Sequence, residues 1–420
     1  MSKKPKHPSW LRILGPGLIT GAADDDPSGI ATYSQAGAAF GYGQLWTLTL
    51  CLPLMMAVQE AAARIGLVTG QGLAQVTARR YSRKVLVAVV ALVVVANIIN
   101  IAADIAAVGA SLQLLVPLPL PLLSVLFTLV VLVLQVFIGY HQYAKFLKLL
   151  ALALLAYVAT ALMVREPWGE ILTATLVPRL QFDTAYLYVI VGILGTTISP
   201  YMFFWQAAEE VEEREYADKM HVRRRTLRQL RMDNAIGMGV SQLGSWFMMV
   251  TTATVLHANG VTNIATAADA ARALEPLVQT FPHAGTWAKV IFALGVVGMG
   301  MLGIPVLAGS ASYAVSEAFG WDKGLQKKPH EAKGFYAIIV VAIALGLGVT
   351  LVGIDPMKSL VFAAVLNGVV AVPLVLLIGR IASDRKVMHA HASGRLSRMM
   401  LLATFVVMAV CALALFASLL

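Results

Sequence analysis

Apolar stretches of about 20 residues recur along the whole 420-residue chain, and this layout limits its possible folds more than any other feature. Hydrophobic residues make up 59% of the sequence and charged residues only 13%, and the mean hydropathy is +0.77. A soluble domain has about twice that share of charged residues. Because a helix needs about 20 apolar residues to cross the hydrocarbon core, the pattern predicts an all-α polytopic membrane protein.

We predict about eleven transmembrane helices in a single membrane domain that covers residues 1–420, with no separate soluble part. The predicted spans lie near 12–39, 44–69, 84–115, 119–139, 143–164, 184–208, 233–257, 286–317, 334–354, 357–380 and 399–419. Loops on the outside of the membrane are predicted at 117–121, 165–183 and 258–285. Polar loops on the inside are predicted at 209–232, 320–333 and 381–398.

The net charge of +10 comes from basic residues that cluster in alternate loops. The clusters are Lys3, Lys4 and Lys6; Arg79, Arg80, Arg83 and Lys84; Arg223, Arg224, Arg225, Arg228 and Arg231; Lys323, Lys327 and Lys328; and Arg380, Arg385, Lys386, Arg395 and Arg398. This is the positive-inside pattern, and it predicts a multi-pass protein of the cell inner (plasma) membrane with a cytoplasmic N-terminus. Nucleic-acid binding is not expected, because no folded domain presents these charges.

Three aspartates and a proline interrupt the first apolar stretch, in the segment Asp24-Asp25-Asp26-Pro27-Ser28-Gly29. A charge at the bilayer centre costs roughly 3 kcal/mol or more, so such residues mark an ion path. Proline and glycine favour local unwinding, which would expose backbone carbonyls beside the carboxylates. Such oxygen ligands suit a hard cation. Asp26, directly before Pro27, is the best candidate for metal contact, while Asp24 and Asp25 point in other directions.

A second break, Ile198-Ser199-Pro200-Tyr201, lies near the middle of the sixth apolar stretch. A proline kink alone is common in membrane helices. Paired interruptions five helices apart are a sequence sign of an inverted-repeat transporter with a site at the bilayer midplane. We therefore predict that helices 1 and 6 are broken, with repeats at about 12–164 and 184–380 and an extra helix at about 399–419.

Other polar residues within the spans form a smaller set. Asn97, Asn100 and Asp104 share one face of the third span, where they either line a water path or bond a neighbouring helix. Asp104 is ionisable, which favours an ion-pathway role. Asn367 in the tenth span is either a ligand or an interhelical hydrogen-bond donor.

Several patterns receive structural interpretations instead. Glu60 and Arg64 have salt-bridge spacing. The segment 298–303 matches a dinucleotide-binding pattern but lies in a span, so it indicates close helix packing. The glutamates within 209–215 predict a solvated helix and loop, and Cys51 and Cys411 are expected to be unpaired packing residues. No nucleophile–base pair or metal-protease motif indicates an enzyme.

Several segments of this sequence resemble the Nramp family of divalent metal transporters. The matching segments are Gly15-Pro16-Gly17, Asp26-Pro27-Ser28-Gly29, Gly41-Tyr42-Gly43, the second-span run from Gln59 to Gly70 and the third-span run from Ala103 to Gly109. The resemblance covers roughly residues 12–380 and implies the LeuT-type fold with a 5+5 inverted repeat. It also implies divalent cation transport by alternating access, with the metal ion as substrate and no cofactor.

The chain departs from the family pattern at the metal site. The family's sixth span provides a methionine and a histidine, whereas this chain has Ser199-Pro200-Tyr201-Met202. Gly29 replaces an amide, and Ala107 replaces a glutamate found in many members. Oxygen ligands favour magnesium or manganese over softer metals, and the pattern is similar to the Nramp-related magnesium transporter branch. Met202 lies three residues from the family's sulfur position, so manganese and iron remain alternatives.

We therefore expect an importer of Mg²⁺ or Mn²⁺. The expected metal site comprises Asp26, Gly29, Ser199 and Asn367, and the expected ion pathway comprises Asp24, Asp25, Asp104, Asn100 and Tyr201. Proton coupling is expected to be weak or absent, because none of the eight histidines falls at the centre of a predicted span.

The alternatives are a proton-coupled Mn²⁺/Fe²⁺ transporter of ordinary Nramp type, a cationic amine transporter of the same superfold, and a membrane sensor that does not transport. The expected partners are the divalent metal ion and the lipid bilayer, with the protein as a monomer.

Overall fold

The computed structural model describes Gly21 and residues 26–138, 155–164, 166–216 and 224–419. Within these residues the regular structure is helical and no β-strand occurs. The α-helices, numbered in chain order, are α1 (Pro27–Phe40), α2 (Leu45–Thr69), α3 (Leu73–Arg80), α4 (Arg83–Gln113), α5 (Leu120–Val133), α6 (Leu155–Met163), α7 (Trp168–Leu176), α8 (Thr184–Thr197), α9 (Pro200–Tyr216), α10 (Arg224–Val255), α11 (Ala267–Arg272), α12 (Glu275–Val278), α13 (Ala284–Phe319), α14 (Lys333–Leu351), α15 (Pro356–Ser383), α16 (Arg385–Met388) and α17 (Arg395–Ser418).

Eight segments of the described residues are long and apolar enough to cross a membrane. They are Pro27–Thr69, Arg83–Gln113, Leu120–Phe137, Thr184–Arg214, Ala284–Phe319, Lys333–Leu351, Pro356–Ser383 and Arg395–Ser418. The first of them contains both α1 and α2, which a short 3₁₀ turn joins at Gly41–Gln44. The predicted seventh span corresponds to α10, which has 32 residues but is more polar. Most of the predicted fifth span, 143–154, lies outside the described residues.

Several segments predicted as loops contain helix. Helix α7 lies within the predicted loop 165–183, α11 and α12 lie within 258–285, and α16 lies within 381–398. The sixth span continues to Tyr216 and the seventh begins at Arg224, so helix also occupies both ends of 209–232. Glutamate, arginine and glutamine are good helix formers, which lets these helices extend beyond the apolar core.

The two helices that follow the breaks are surrounded by other spans. Helix α1 packs against α8, α10 and α15, and α9 packs against α2 and α13. Glycines allow these close contacts: a Cβ added to Gly66 of α2 would lie 2.2 Å from the carbonyl oxygen of Ala207. In the same way, a Cβ on Gly195 of α8 would lie 1.9 Å from the Ala364 carbonyl oxygen of α15. Small residues at helix contacts are typical of membrane proteins.

Two structural interpretations are confirmed and one is wrong in part. The Glu60–Arg64 salt bridge forms with an N–O distance of 3.0 Å. Close packing also occurs in the segment 298–303, where a Cβ on Gly300 would lie 2.5 Å from a methyl carbon of Val108. The prediction that the glutamates of α9 are solvated is wrong for Glu209 and Glu210, which are buried because α9 packs against α2 and α13.

Candidate functional site

The first break places Asp26 at the N-terminus of α1. Asp26 is non-helical, and its Oδ1 accepts hydrogen bonds from the Ser28 hydroxyl at 2.6 Å and the Gly29 N–H at 2.9 Å. An aspartate N-cap followed by proline at the first helical position strongly favours a helix start. The first span is therefore interrupted before Pro27, as expected, and Gly29 itself lies in the first turn of α1. It contributes an N–H donor to Asp26 rather than a free carbonyl.

The second break separates α8 from α9 at Ile198 and Ser199. The Ser199 hydroxyl donates to the carbonyl oxygens of Gly195 at 2.9 Å and Thr196 at 2.7 Å. These carbonyls belong to the last turn of α8, where the helix provides no partner of its own. Pro200 then begins α9, as Pro27 begins α1. The prediction of a broken sixth span is confirmed.

The two breaks meet at Asp26. The Tyr201 hydroxyl, from the first turn of α9, donates to Asp26 Oδ2 at 3.2 Å. A second link joins the Tyr33 hydroxyl of α1 to the Thr197 hydroxyl of α8 at 2.9 Å. Asp26, Ser199 and Tyr201 are each only 1% exposed. The carboxylate thus lies at the N-terminus of α1, the positive end of that helix, and accepts a hydrogen bond from a side chain of α9.

A second carboxylate lies beside this junction. A Cβ added to Gly303 of α13 would lie 3.2 Å from Asp26 Cβ and 3.7 Å from Asp104 Oδ2, so both carboxylate side chains flank Gly303. Asp104 is fully buried, and neither of its carboxylate oxygens has a hydrogen-bond partner among the described residues. A buried carboxylate without a partner is costly, and a cation beside it would offset that cost. The sequence pattern does not predict a place for Gly303 at this site, because its glycine-rich segment indicates only helix packing.

The asparagines form interhelical bonds. Asn100 Nδ2 donates to Asn367 Oδ1 at 2.9 Å, and Asn367 Nδ2 donates to Asn100 Oδ1 at 3.0 Å. Asn97 Nδ2 donates to the Leu307 carbonyl of α13 at 2.8 Å. In this conformation both amides of the Asn100–Asn367 pair are occupied by each other. The geometry favours the helix-bonding alternative for the asparagines and does not bring Asn367 to Asp26 as a ligand.

The remaining predicted site residues lie outside the described part of the chain. Asp24 and Asp25 fall within 22–25, so their positions relative to Asp26 stay predictions. Within the described residues, no three histidine, cysteine, aspartate or glutamate side chains come together to hold a metal ion. The oxygen groups that come together at the junction of the two breaks are the carboxylates of Asp26 and Asp104 and the hydroxyls of the break residues.

Apolar packing covers one side of the site. Between α1 and α11, a cavity of only about 10 Å³ touches Pro27, and Ser111 is the single polar residue among the described residues that line it. A cavity needs roughly 10–15 Å³ to hold even one water molecule. This cavity beside Pro27 is therefore too small to hold a hydrated ion.

Comparisons with known proteins agree with this architecture. The profile of the natural resistance-associated macrophage protein-like (Nramp) family matches residues 17–418. A divalent metal cation transporter MntH from Chromohalobacter salexigens is 31% identical over 284 residues, which are 66% of this chain and 65% of the relative. This chain thus aligns with slightly less than two thirds of that relative's length.

Solved structures show the same fold. A manganese transporter from Eremococcus coleocola, in complex with an aromatic bis-isothiourea compound, superposes with a TM-score of 0.76 at 17% identity, covering 99% of this chain and 89% of that one. MhsT in complex with L-phenylalanine superposes with a TM-score of 0.64 at 11% identity, covering 99% of this chain and 100% of that one. The fold is of the LeuT type, as expected, and the chain belongs to the natural resistance-associated macrophage protein-like family.

Proposed function

We propose that this protein transports a divalent metal ion across the cell inner membrane by alternating access, with Asp26 as the central ligand. The observation that carries the proposal is the Tyr201–Asp26 hydrogen bond, which joins the two breaks around a buried carboxylate. The names of the relatives support it, since one is a divalent metal cation transporter and the other a manganese transporter. A cationic amine remains the competing substrate, because the carboxylates would repel an anionic one.

The donor chemistry favours a hard ion, Mg²⁺ or Mn²⁺. The side chains that bond Asp26 offer hydroxyl oxygens, from Ser28 and Tyr201, and the carboxylate of Asp104 flanks Gly303 together with Asp26. Few ligands converge there from the described residues, so a bound ion would keep several of its waters, which suits the reluctance of Mg²⁺ to dehydrate. Iron, a softer metal, would gain more from a thioether. Ordinary Nramp-type transport of Mn²⁺ or Fe²⁺ with protons is the alternative.

The other predicted residues take supporting roles in this proposal. Gly29 holds the Asp26 carboxylate through its N–H, and Ser199 offers its oxygen lone pairs at the second break. Asn367 becomes a ligand only in a state in which its bond to Asn100 opens. In this proposal Asp24 and Asp25, which fall outside the described residues, belong to the ion pathway.

We also propose that uptake needs little or no proton coupling. Membrane potential alone supplies roughly 4–5 kcal/mol per 100 mV for a divalent ion, twice the value for a single charge. That driving force is sufficient for import of a divalent cation into a cell with a negative interior. The protein would act as a monomer with its N-terminus in the cytoplasm.

Flux measurements in proteoliposomes test the function. Uptake of Mg²⁺, Mn²⁺, Fe²⁺ and Ca²⁺ is followed with an imposed potential and an internal pH dye, with protein-free liposomes as control. We expect Mg²⁺ or Mn²⁺ flux that rises with potential and little internal acidification. Stoichiometric acidification would contradict weak coupling, and uptake of a cationic amine with no metal flux would replace the metal with an amine substrate.

A further inference from the structure

A basic cavity of about 440 Å³ lies between α2, α10 and the start of α17. Its polar lining comes from Arg64 of α2, Arg228 and Arg231 of α10, and His391, Gly394 and Ser397 around the start of α17. No aspartate or glutamate is among the described residues that line it. None of these residues belongs to the site around Asp26, and the metal transport proposed above does not use them.

Charge in this cavity is only partly neutralised. Glu60, behind the lining, pairs with both Arg64 and Arg231 at N–O distances of 3.0 Å. Arg64 is buried and also donates to the His391 carbonyl at 2.5 Å and the Ser393 hydroxyl at 2.9 Å, which fixes the segment before α17. Arg228 is exposed and forms no ion pair with another described residue. Among the described side chains one carboxylate therefore faces three guanidinium groups, and the cavity is suited to an anion.

The start of α17 adds a second attraction for an anion. This helix has 24 residues, and its N-cap residue is Gly394, which provides no side-chain cap. The first N–H groups of an uncapped helix are free to bond a ligand, and the helix dipole favours negative charge there. Phosphate groups commonly bind at such helix N-termini. Gly394 and Ser397 place this helix start in the cavity wall.

Apolar surface continues from the cavity along both flanking helices. On α10, Met232, Ile236 and Val240 are 50%, 44% and 61% exposed. On α17 the exposed apolar residues are Leu396, Met399 and Leu402. Both strips begin within one turn of the arginines or of Gly394 and run toward the middle of the predicted spans. A ligand that matches both features has an anionic head and apolar tails.

We propose that this cavity binds the phosphate headgroup of an anionic phospholipid, with acyl chains lying along α10 and α17. The arginine clusters mark this face as the one with the positive-inside charge, where anionic lipids attract basic residues. The bound lipid would join α10 to α2 and α17, helices that the Glu60 and Arg64 contacts already link at this point. The proposal does not depend on the metal or on the site at Asp26.

Lipid binding to the purified full-length protein tests this. Retention of phosphatidylglycerol is measured by native mass spectrometry, and the thermal unfolding midpoint is measured in parallel. Phosphatidylcholine with the same acyl chains and inorganic phosphate serve as separate arms. Because each arginine near a lipid surface contributes about 1 kcal/mol, Arg228→Gln should weaken phosphatidylglycerol binding about fivefold and Arg228→Gln/Arg231→Gln about 25-fold.

Matched variants decide the outcome. Arg79→Gln removes an exposed arginine of the same membrane face that does not line the cavity, and binding should stay at the wild-type level. Arg228→Lys should retain most of the affinity. Equal retention of phosphatidylcholine, equal loss in Arg79→Gln, or unchanged binding in Arg228→Gln/Arg231→Gln would overturn the proposal. If inorganic phosphate stabilised the protein as much as phosphatidylglycerol does, the cavity would be assigned to a free anion and the proposal of lipid binding would be overturned.

Discussion

The two broken helices share a backbone design but differ in chemistry. In each, a proline is the first residue of the second half, Pro27 in α1 and Pro200 in α9, and a short polar residue precedes it. Asp26 accepts hydrogen bonds from the helix that follows it, whereas Ser199 donates to the helix before it. The fold thus provides two facing helix starts, and the sequence places the negative charge at only one of them.

This difference assigns unequal roles to the two halves. Asp26 carries the charge that a cation needs, while the second break contributes the neutral Tyr201 hydroxyl that holds the carboxylate. We expect substitutions at the first break to affect transport more than those at the second.

The largest effect should follow from removing the charge at the first break. Asp26→Asn keeps the shape of the side chain, but a divalent ion loses its central anionic ligand. Loss of one buried charged partner costs about 2–5 kcal/mol, so we expect metal uptake in proteoliposomes to fall roughly a hundredfold or more.

A control with the same local sequence is available for this variant. Asp355 precedes Pro356 and caps α15 just as Asp26 caps α1, but it lies exposed at a helix end. Asp355→Asn should retain uptake close to the wild-type level. Uptake that survives in Asp26→Asn, or an equal loss in both variants, would remove Asp26 from the centre of the site.

The next effect concerns the amide pair beside the second break. Asn100→Leu would leave a buried, unsatisfied amide on Asn367, at a cost of about 1–3 kcal/mol of unfolding free energy. The double variant Asn100→Leu/Asn367→Leu removes both amides and should cost less than the sum of the two single variants. Chemical unfolding in detergent measures this. Additive effects would contradict the pairing and leave Asn367 available to the ion.

Sequence patterns predicted the positions of the two breaks better than the contacts between distant helices around them. Both breaks follow from charge and proline within apolar stretches, which depend on local chemistry alone, whereas the role of Asp26 as a ligand stays a prediction. The start of α1 at Pro27 could also have been predicted, because Asp-Pro is an ordinary N-cap sequence. The Asn100–Asn367 pair and the place of Gly303 between two carboxylates depend on how distant helices pack. Periodicity contains no information about that register.

A smaller effect should follow from altering the link between the breaks. Tyr201→Phe removes the hydroxyl that orients Asp26, and one hydrogen bond to a carboxylate is worth about 1.5 kcal/mol. We expect the KM for metal uptake to rise about tenfold, with a smaller change in kcat. Tyr33→Phe is the matched control, since its hydroxyl bonds Thr197 rather than Asp26. An equal rise in both variants would mean that the second break supports packing only.

The smallest effect concerns a polar contact far from both breaks, at the turn after α1. Tyr42 and Thr254 donate hydrogen bonds to the half-buried Glu166, whose pKa is raised because burial disfavours the charged carboxylate more than these bonds favour it. The folded protein therefore holds this proton more tightly than the unfolded chain does. The resulting stabilisation is complete below the ordinary pKa of 4.5 and is lost as pH rises through the raised value.

Glu166→Gln should remove this pH dependence from the thermal unfolding midpoint measured between pH 4 and about pH 8. We expect this change to be smaller than the effect of any variant described above. Glu170→Gln, which alters an exposed glutamate on the neighbouring α7, should leave the dependence intact. If Glu166→Gln changed metal uptake as strongly as Asp26→Asn, the Glu166 carboxylate would control transport as much as the charge at the first break. The unequal roles of the two breaks would then not explain the mechanism, because a carboxylate outside both would be equally decisive.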